Sequence, residues 1–222
     1  MPLNPRFRLH RWLLTAAVAA STSLQAREKP VEPPPAALHA QLAQIDRDAA
    51  RLPAALARGE KGAAVCRHCH GVGGNSVRPE VPNLAGQNPD YLLEQMNKFV
   101  HGQRQSSAFM SGMIKALSPD ERIDVALFLS RQPVLKKPAQ VDARAVAGAK
   151  LYGKLCVSCH GASAGGAHKI PRLAGQQVQY LEDSLKRYRD GGGERVDPRM
   201  AAYTRNLRNA DIQALAAYLS AL

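Results

Sequence analysis

Two pentads, Cys66-Arg67-His68-Cys69-His70 and Cys156-Val157-Ser158-Cys159-His160, stand 90 residues apart in a chain of 222. Outward from them the correspondence continues. Pro82-Asn83-Leu84-Ala85-Gly86-Gln87 is matched by Pro171-Arg172-Leu173-Ala174-Gly175-Gln176 at an offset of 89, and Tyr91 by Tyr180 at the same offset. Met110 pairs with Met200, Leu117 with Leu207 and Phe128 with Tyr218, each at 90. One gap and one insertion keep the register, so the chain is a tandem repeat of two copies of about 80 residues. A bare apolar core is marginal at that size, which points to a bound group in each copy.

Each copy reads as three helices. The first runs into the cysteine pair, near Leu56 to Val65 and Val146 to Leu155. The second carries Leu92, Met96 and Phe99 at i, i+4, i+7, matched by Leu181, Leu185 and Tyr188. The third opens at Ser118-Pro119-Asp120-Glu121, a capping box with proline at the first helical position; its counterpart offers Ile212, Leu215, Ala216 and Leu219 on one face. No useful alternating pattern is present, so the expected class is all-α. The domain boundaries expected are 54–134 and 145–222, joined by a linker over 135–144 that follows Pro133 and contains Pro138.

A Cys-x-x-Cys-His pentad is the attachment signature of c-type haem: two thiols add across the vinyl groups and the next residue offers its imidazole to iron. A thioredoxin-like redox pair needs a βαβ setting, which is missing, and zinc gives no reason for histidine to follow both pairs. Haem therefore claims Cys66, Cys69, Cys156 and Cys159, with His70 and His160 as proximal ligands. Methionine as the sixth ligand makes a high-potential electron-transfer centre. Met200 is the single methionine of the second copy, and the repeat offset carries the role to Met110 in the first. Met113 is the competitor there, and His101 a further one, although its equivalent is Asp190. Met96 reads as core on the second helix, and His68 and His168 as surface residues.

Upstream, Met1 to Arg11 carries three arginines and no acid, and Trp12 to Leu24 is a 13-residue stretch of mainly apolar and small residues. That grammar predicts a secretory signal over 1–26, cut after Ala26 or Ala20, with an uncleaved anchor as the alternative. Next comes a spacer and helix over 27–53. After Pro33-Pro34-Pro35, Leu38, Leu42, Ile45, Ala49 and Leu52 follow at 4-3-4-3 spacing, an apolar seam that ends at Pro53. The seam packs on the chain's own first domain or docks a partner.

Composition narrows the rest. At 45% hydrophobic and 22% charged, with mean hydropathy −0.29, the chain has no run of the roughly 18–20 apolar residues that spans a membrane. Its 17 glycines and 15 prolines exclude a collagen-like or wholly disordered chain. Net charge is +12, and 14 basic against 7 acidic residues fall in 135–222. In an exported protein nucleic acid is a poor explanation; a solvated surface, or steering toward an acidic redox partner or an anionic membrane surface, fits better.

Two CxxCH copies, each with a P-x-L-x-G-Q loop, a late methionine and a final amphipathic helix, resemble the dihaem cytochrome c4 family over roughly Ala54 to Leu222. The resemblance implies two class I cytochrome c domains related by a pseudo-twofold. It also implies that the carbonyls of Pro82 and Pro171 accept from Nδ1–H of the proximal histidines. The implied function is electron transfer from a quinol-oxidising complex or a dehydrogenase to a terminal oxidase or reductase; the export signal predicts the periplasm, and the basic charge makes peripheral membrane association one option. The alternatives are the electron-acceptor subunit of a dehydrogenase complex and a dihaem peroxidase, which needs one iron left open. One departure stands out: eight residues before the first cysteine lies Arg58, where the second copy has Gly148, so first-helix packing is expected to differ.

Overall fold

Helix formation follows the local signals. In the computed structural model, residues 1, 32–105, 107–135, 142–191 and 197–222 are described. The predicted leader beyond Met1 and the centre of the 135–144 linker, with Lys136 and Lys137, lie outside them. The first half of the described chain contains α1 (Pro35–Arg47), α2 (Leu52–Gly62), the short α3 (Arg67–His70), α4 (Pro89–Val100), α5 (Ala108–Lys115) and α6 (Pro119–Ser130). The second contains α7 (Ala143–Leu155), the short α8 (Val157–His160), α9 (Val178–Asp190), α10 (Pro198–Thr204) and α11 (Asn209–Ser220). Among the described residues there is no strand, only an isolated bridge between Ala167 and Ile170, and no helix is long and apolar enough to cross a membrane. Residues 32–222 form one unit.

The same contact organises both halves: the helix before the cysteine pair crosses the last helix of its domain, α2 on α6 and α7 on α11. The approach is so close that only glycine fits. A Cβ on Gly59 would lie 2.1 Å from the Asp124 carbonyl oxygen, and one on Gly148 would lie 1.9 Å from that of Ala214. Gly59, not Arg58, is thus the partner of Gly148. The expected difference in packing is absent, because the second copy simply inserts one residue between this glycine and its first cysteine. Arg58, one position before it, reaches instead to buried Asp124 at 2.6 and 3.1 Å.

Around these crossings lie two cores. Leu92, Leu93, Met96, Phe99, Ile123 and Leu127 centre the first, and Tyr152, Leu181, Ile212, Leu215 and Leu219 the second. Ser118 caps α6 as its sequence predicts: its Oγ accepts from Glu121 N–H, and the Glu121 carboxylate accepts from Ser118 N–H.

Helix α1 belongs to the first core. Leu38, Leu42 and Ile45 are buried against α4 and α6, and full burial of each contributes about 1.5–3 kcal/mol. Its rim is polar: His39 lies 2.8 Å from Asp90 and 3.1 Å from Glu94, and Arg131 donates to Asp46 at 2.5 Å. Glu32, just upstream, pairs with the buried Arg122. The seam is therefore covered by the protein's own first domain, but it is not one helix: α1 ends at Arg47, Ala49 is exposed in the turn that follows, and Leu52 opens α2 against the same core.

Candidate haem sites

Each pentad closes in one helical turn, α3 or α8, that ends in its histidine. Both rings are buried, His70 at 7% and His160 at 5% exposure. His70 Nδ1 lies 2.9 Å from the carbonyl oxygen of Pro82, and His160 Nδ1 lies 3.1 Å from that of Pro171. A carbonyl oxygen only accepts, so Nδ1 carries the proton. Burial lowers the basicity of both rings, against the opposing pull of those carbonyls. A neutral ring protonated at Nδ1 leaves its Nε2 lone pair free for a metal.

The loops that supply these carbonyls are anchored alike. Leu84 N–H and Ala85 N–H donate to Gly74 O, and Leu173 N–H and Ala174 N–H donate to Ala164 O. Gly86 and Gly175 then donate to the last turns of α6 and α11, at Leu129 O and Leu219 O. The anchoring residue is left-handed in both copies, Gly74 at φ 80° and the fully buried Ala164 at φ 51°. The second copy thus holds a strained alanine where the first uses glycine.

A cavity of about 760 Å³ runs through both domains. Its walls include Cys66, Cys69, His70, Pro82 and Met110 from the first domain, and Cys156, Cys159, His160, Pro171 and Met200 from the second. The remaining lining is largely apolar, with Leu84, Phe99, Ile114 and Leu117 answered by Leu173, Leu185, Leu207 and Leu215. Met113 and His101 are not among the lining residues. His101 is exposed, with Nδ1 2.8 Å from Asn97 O. His68 and His168 are exposed as well.

Met96, a residue of the first core on α4, also lines the cavity, while Met110 and Met200 sit at one local position in their two domains. Ser107 caps α5 and its Oγ accepts from Met110 N–H at 3.2 Å; Asp197 caps α10 and accepts from Met200 N–H at 3.4 Å. These caps, three residues before each methionine and 90 apart, went unread in the sequence, although Ser107 and Asp197 are standard capping types.

The donor set suits covalent haem and not its rivals. All four cysteines are unpaired. Burial pushes the Cys66 thiol up and that of Cys156 to about 11, opposite to the depressed values of redox-active thiols. Among the described residues no three His, Cys, Asp or Glu side chains cluster to hold a bare metal ion. Two thiols and a neutral imidazole on the wall of an apolar cavity fit a thioether-bound porphyrin.

Known proteins agree. The Cytochrome c family model matches residues 56–132 and 145–222, one match per copy. Cytochrome c4 of Thiocapsa roseopersicina is 34% identical over 176 residues, covering 73% of this chain and 89% of that protein. A thiosulfate dehydrogenase electron acceptor of Thiomonas intermedia is 35% identical over 183 residues, covering 76% of this chain and 83% of that one. The crystal structure of reduced cytochrome c4 from Pseudomonas stutzeri matches with a TM-score of 0.68 at 34% identity, over 74% of this chain and 96% of that one. With the repeat, the cavity and its donors, these matches place the chain in the cytochrome c family as a dihaem cytochrome c4, an electron carrier with two covalently bound haem c groups.

Proposed function

We propose that this carrier holds one iron between His70 and Met110 in a domain spanning 54–134, and the other between His160 and Met200 in a domain spanning 145–222. Cys66, Cys69, Cys156 and Cys159 form the thioethers. The observation that carries this reading is the equivalence of the two sites: in each, a buried histidine bound to a proline carbonyl shares the cavity with a methionine whose own N–H is capped. When bound, the haem supplies one-electron chemistry at an iron whose potential methionine ligation raises. The chain does the rest. Pro82 and Pro171 orient the imidazoles, Ser107 and Asp197 steady the methionine-bearing helices, and the apolar walls keep water from the site.

The protein is exported to the periplasm and passes single electrons from a respiratory donor, such as a quinol-oxidising complex, to a terminal oxidase or reductase. Its basic second domain docks acidic partners or an anionic membrane surface. A second reading, electron acceptor of a dehydrogenase, is favoured by the likeness to the Thiomonas intermedia acceptor. In that case α1 does not provide the attachment through its apolar seam, which is already buried. The peroxidase reading loses support because a methionine is available in each domain.

The test is ligand replacement. Met110→Ala and Met200→Ala should each abolish the methionine–iron absorption band of one haem and lower its potential, whereas Met113→Ala should leave both bands intact. Loss of a band in Met113→Ala, or rapid peroxide turnover by the unmodified protein, would contradict the assignment.

A further inference from the structure

The two domains meet through a pair of buried glutamines, Gln87 at 5% and Gln176 at 6% exposure. Each uses both ends of its side-chain amide on one residue of the other domain. Gln176 Oε1 accepts from Asn83 N–H at 2.7 Å while its Nε2 donates to Asn83 O at 3.0 Å. Gln87 Oε1 accepts from Arg172 N–H at 2.7 Å while its Nε2 donates to Arg172 O at 2.9 Å. The glutamine oxygens are steadied in turn by the following residues, Asn88 N–H at 3.0 Å and Gln177 N–H at 2.9 Å.

Asn83 and Arg172 directly follow Pro82 and Pro171. The Asn83 N–H therefore belongs to the same planar peptide unit as the Pro82 carbonyl, and the Arg172 N–H to the same unit as the Pro171 carbonyl. A continuous chain results: Gln176 Oε1 accepts from the peptide N–H, and the carbonyl of that peptide accepts from His70 Nδ1–H. Its mirror runs from Gln87 through the Pro171–Arg172 peptide to His160. A planar peptide held at its N–H has its carbonyl direction fixed, and an acceptor on the N–H polarises the carbonyl into a stronger acceptor. Stronger acceptance from Nδ1–H makes the imidazole a more basic ligand.

We propose that Gln87 and Gln176 are crossed positioning residues: each tunes the proximal histidine of the domain to which it does not belong. The interface thereby makes each iron site depend on the presence and docking of the other domain. This rests on the assignment of His70 and His160 as iron ligands.

The test uses the reduced, diamagnetic holoprotein and follows the Nδ1–H proton of each iron-bound imidazole by NMR. Gln176→Met should speed solvent exchange of the His70 proton, by up to about tenfold, the limit set by complete loss of its own hydrogen bond to Pro82 O, and leave that of His160 unchanged. Gln87→Met should do the reverse. In each variant the potential of the affected haem should rise, because a less basic imidazole stabilises the ferric state less. Lys169→Met cuts the interdomain pair with Glu94, 3.0 Å apart, and touches neither peptide. It should move neither proton, so a response there equal to that of Gln87→Met would reduce the effect to general loosening and overturn the proposal. Response of the proton in the glutamine's own domain, of both protons alike, or of neither would overturn it too. Failure of the ligand assignment looks different: the iron-bound imidazole protons of the unmodified protein would then belong to histidines other than His70 and His160.

Discussion

Gly148→Ala puts a methyl group where α7 crosses α11. The new Cβ would sit 1.9 Å from Ala214 O and 2.8 Å from Tyr218 Cβ, against the 3.4 Å at which ordinary contact begins. The shortfall of about 1.5 Å faces a backbone carbonyl inside a helix, so the two helices must part. Such overpacking costs about 1–3 kcal/mol, and a rigid obstacle favours the upper end. Replacing glycine within a helix returns about 0.8–1.0 kcal/mol. The net is a loss of about 2 kcal/mol in the second domain. Gly153→Ala is the internal control: it lies on the same helix with nothing within 4 Å of its added Cβ, so it should keep the propensity gain and lose nothing. Urea unfolding of the holoprotein, followed by helical circular dichroism, should show a midpoint lower by about 1 M for Gly148→Ala, given a slope near 2 kcal/mol per M. The midpoint for Gly153→Ala should be unchanged or slightly higher. A Gly148→Ala protein as stable as Gly153→Ala would refute the close crossing and the pairing of Gly148 with Gly59.

Asp197→Ala should uncap α10 and cost that helix about 0.5–2 kcal/mol, weakening the methionine–iron band of one haem on mild warming; an unaltered band would mean the cap does not steady Met200. Burial raises the Glu94 carboxyl, but Lys169, His39 and Lys98 outweigh it and hold the group below its ordinary value, so its stabilisation is present above about pH 4.3 and is lost as pH falls through the lower folded value. The urea midpoints of wild type and Glu94→Gln should therefore differ at pH 6 and converge near pH 3, and a gap that persists at pH 3 would contradict this. Steering by the basic second domain should make reduction by the physiological donor slow as salt shortens the Debye length below about 8 Å. Reversing the exposed Lys150 and Lys154 on α7 to glutamate should slow it more than reversing Arg67 and Arg78; equal effects would leave the charge as mere solvation.

Much of this was legible in the sequence, because the repeat and the pentads act locally. Helix type, the Ser118 cap and the cysteine, histidine and methionine candidates follow from motif and spacing, whereas the Pro82 and Pro171 acceptors came from the family resemblance. What escaped was three-dimensional. Counting back from the cysteines paired Arg58 with Gly148, since an insertion inside a helix turn is invisible until the crossing shows which glycine is pinned. The seam of α1 was readable as apolar but not which surface covers it. Gln87 and Gln176 stand out as identical residues of the repeat, yet their partners lie 85–93 residues away in the chain. The basic surplus of 135–222 could be counted in sequence but not which of its cations are engaged: Lys186 lies 3.6 Å from Glu182, and Arg189 binds Asp190 and Asn209.

The most direct test of the central claim is the haem content of the mature protein after extraction with acidified acetone. Thioether attachment through Cys66, Cys69, Cys156 and Cys159 predicts two haems per chain that remain with the polypeptide, seen as the added mass in the intact protein and as the pyridine haemochrome. One retained haem per chain, or haem that leaves with the solvent, would contradict the account.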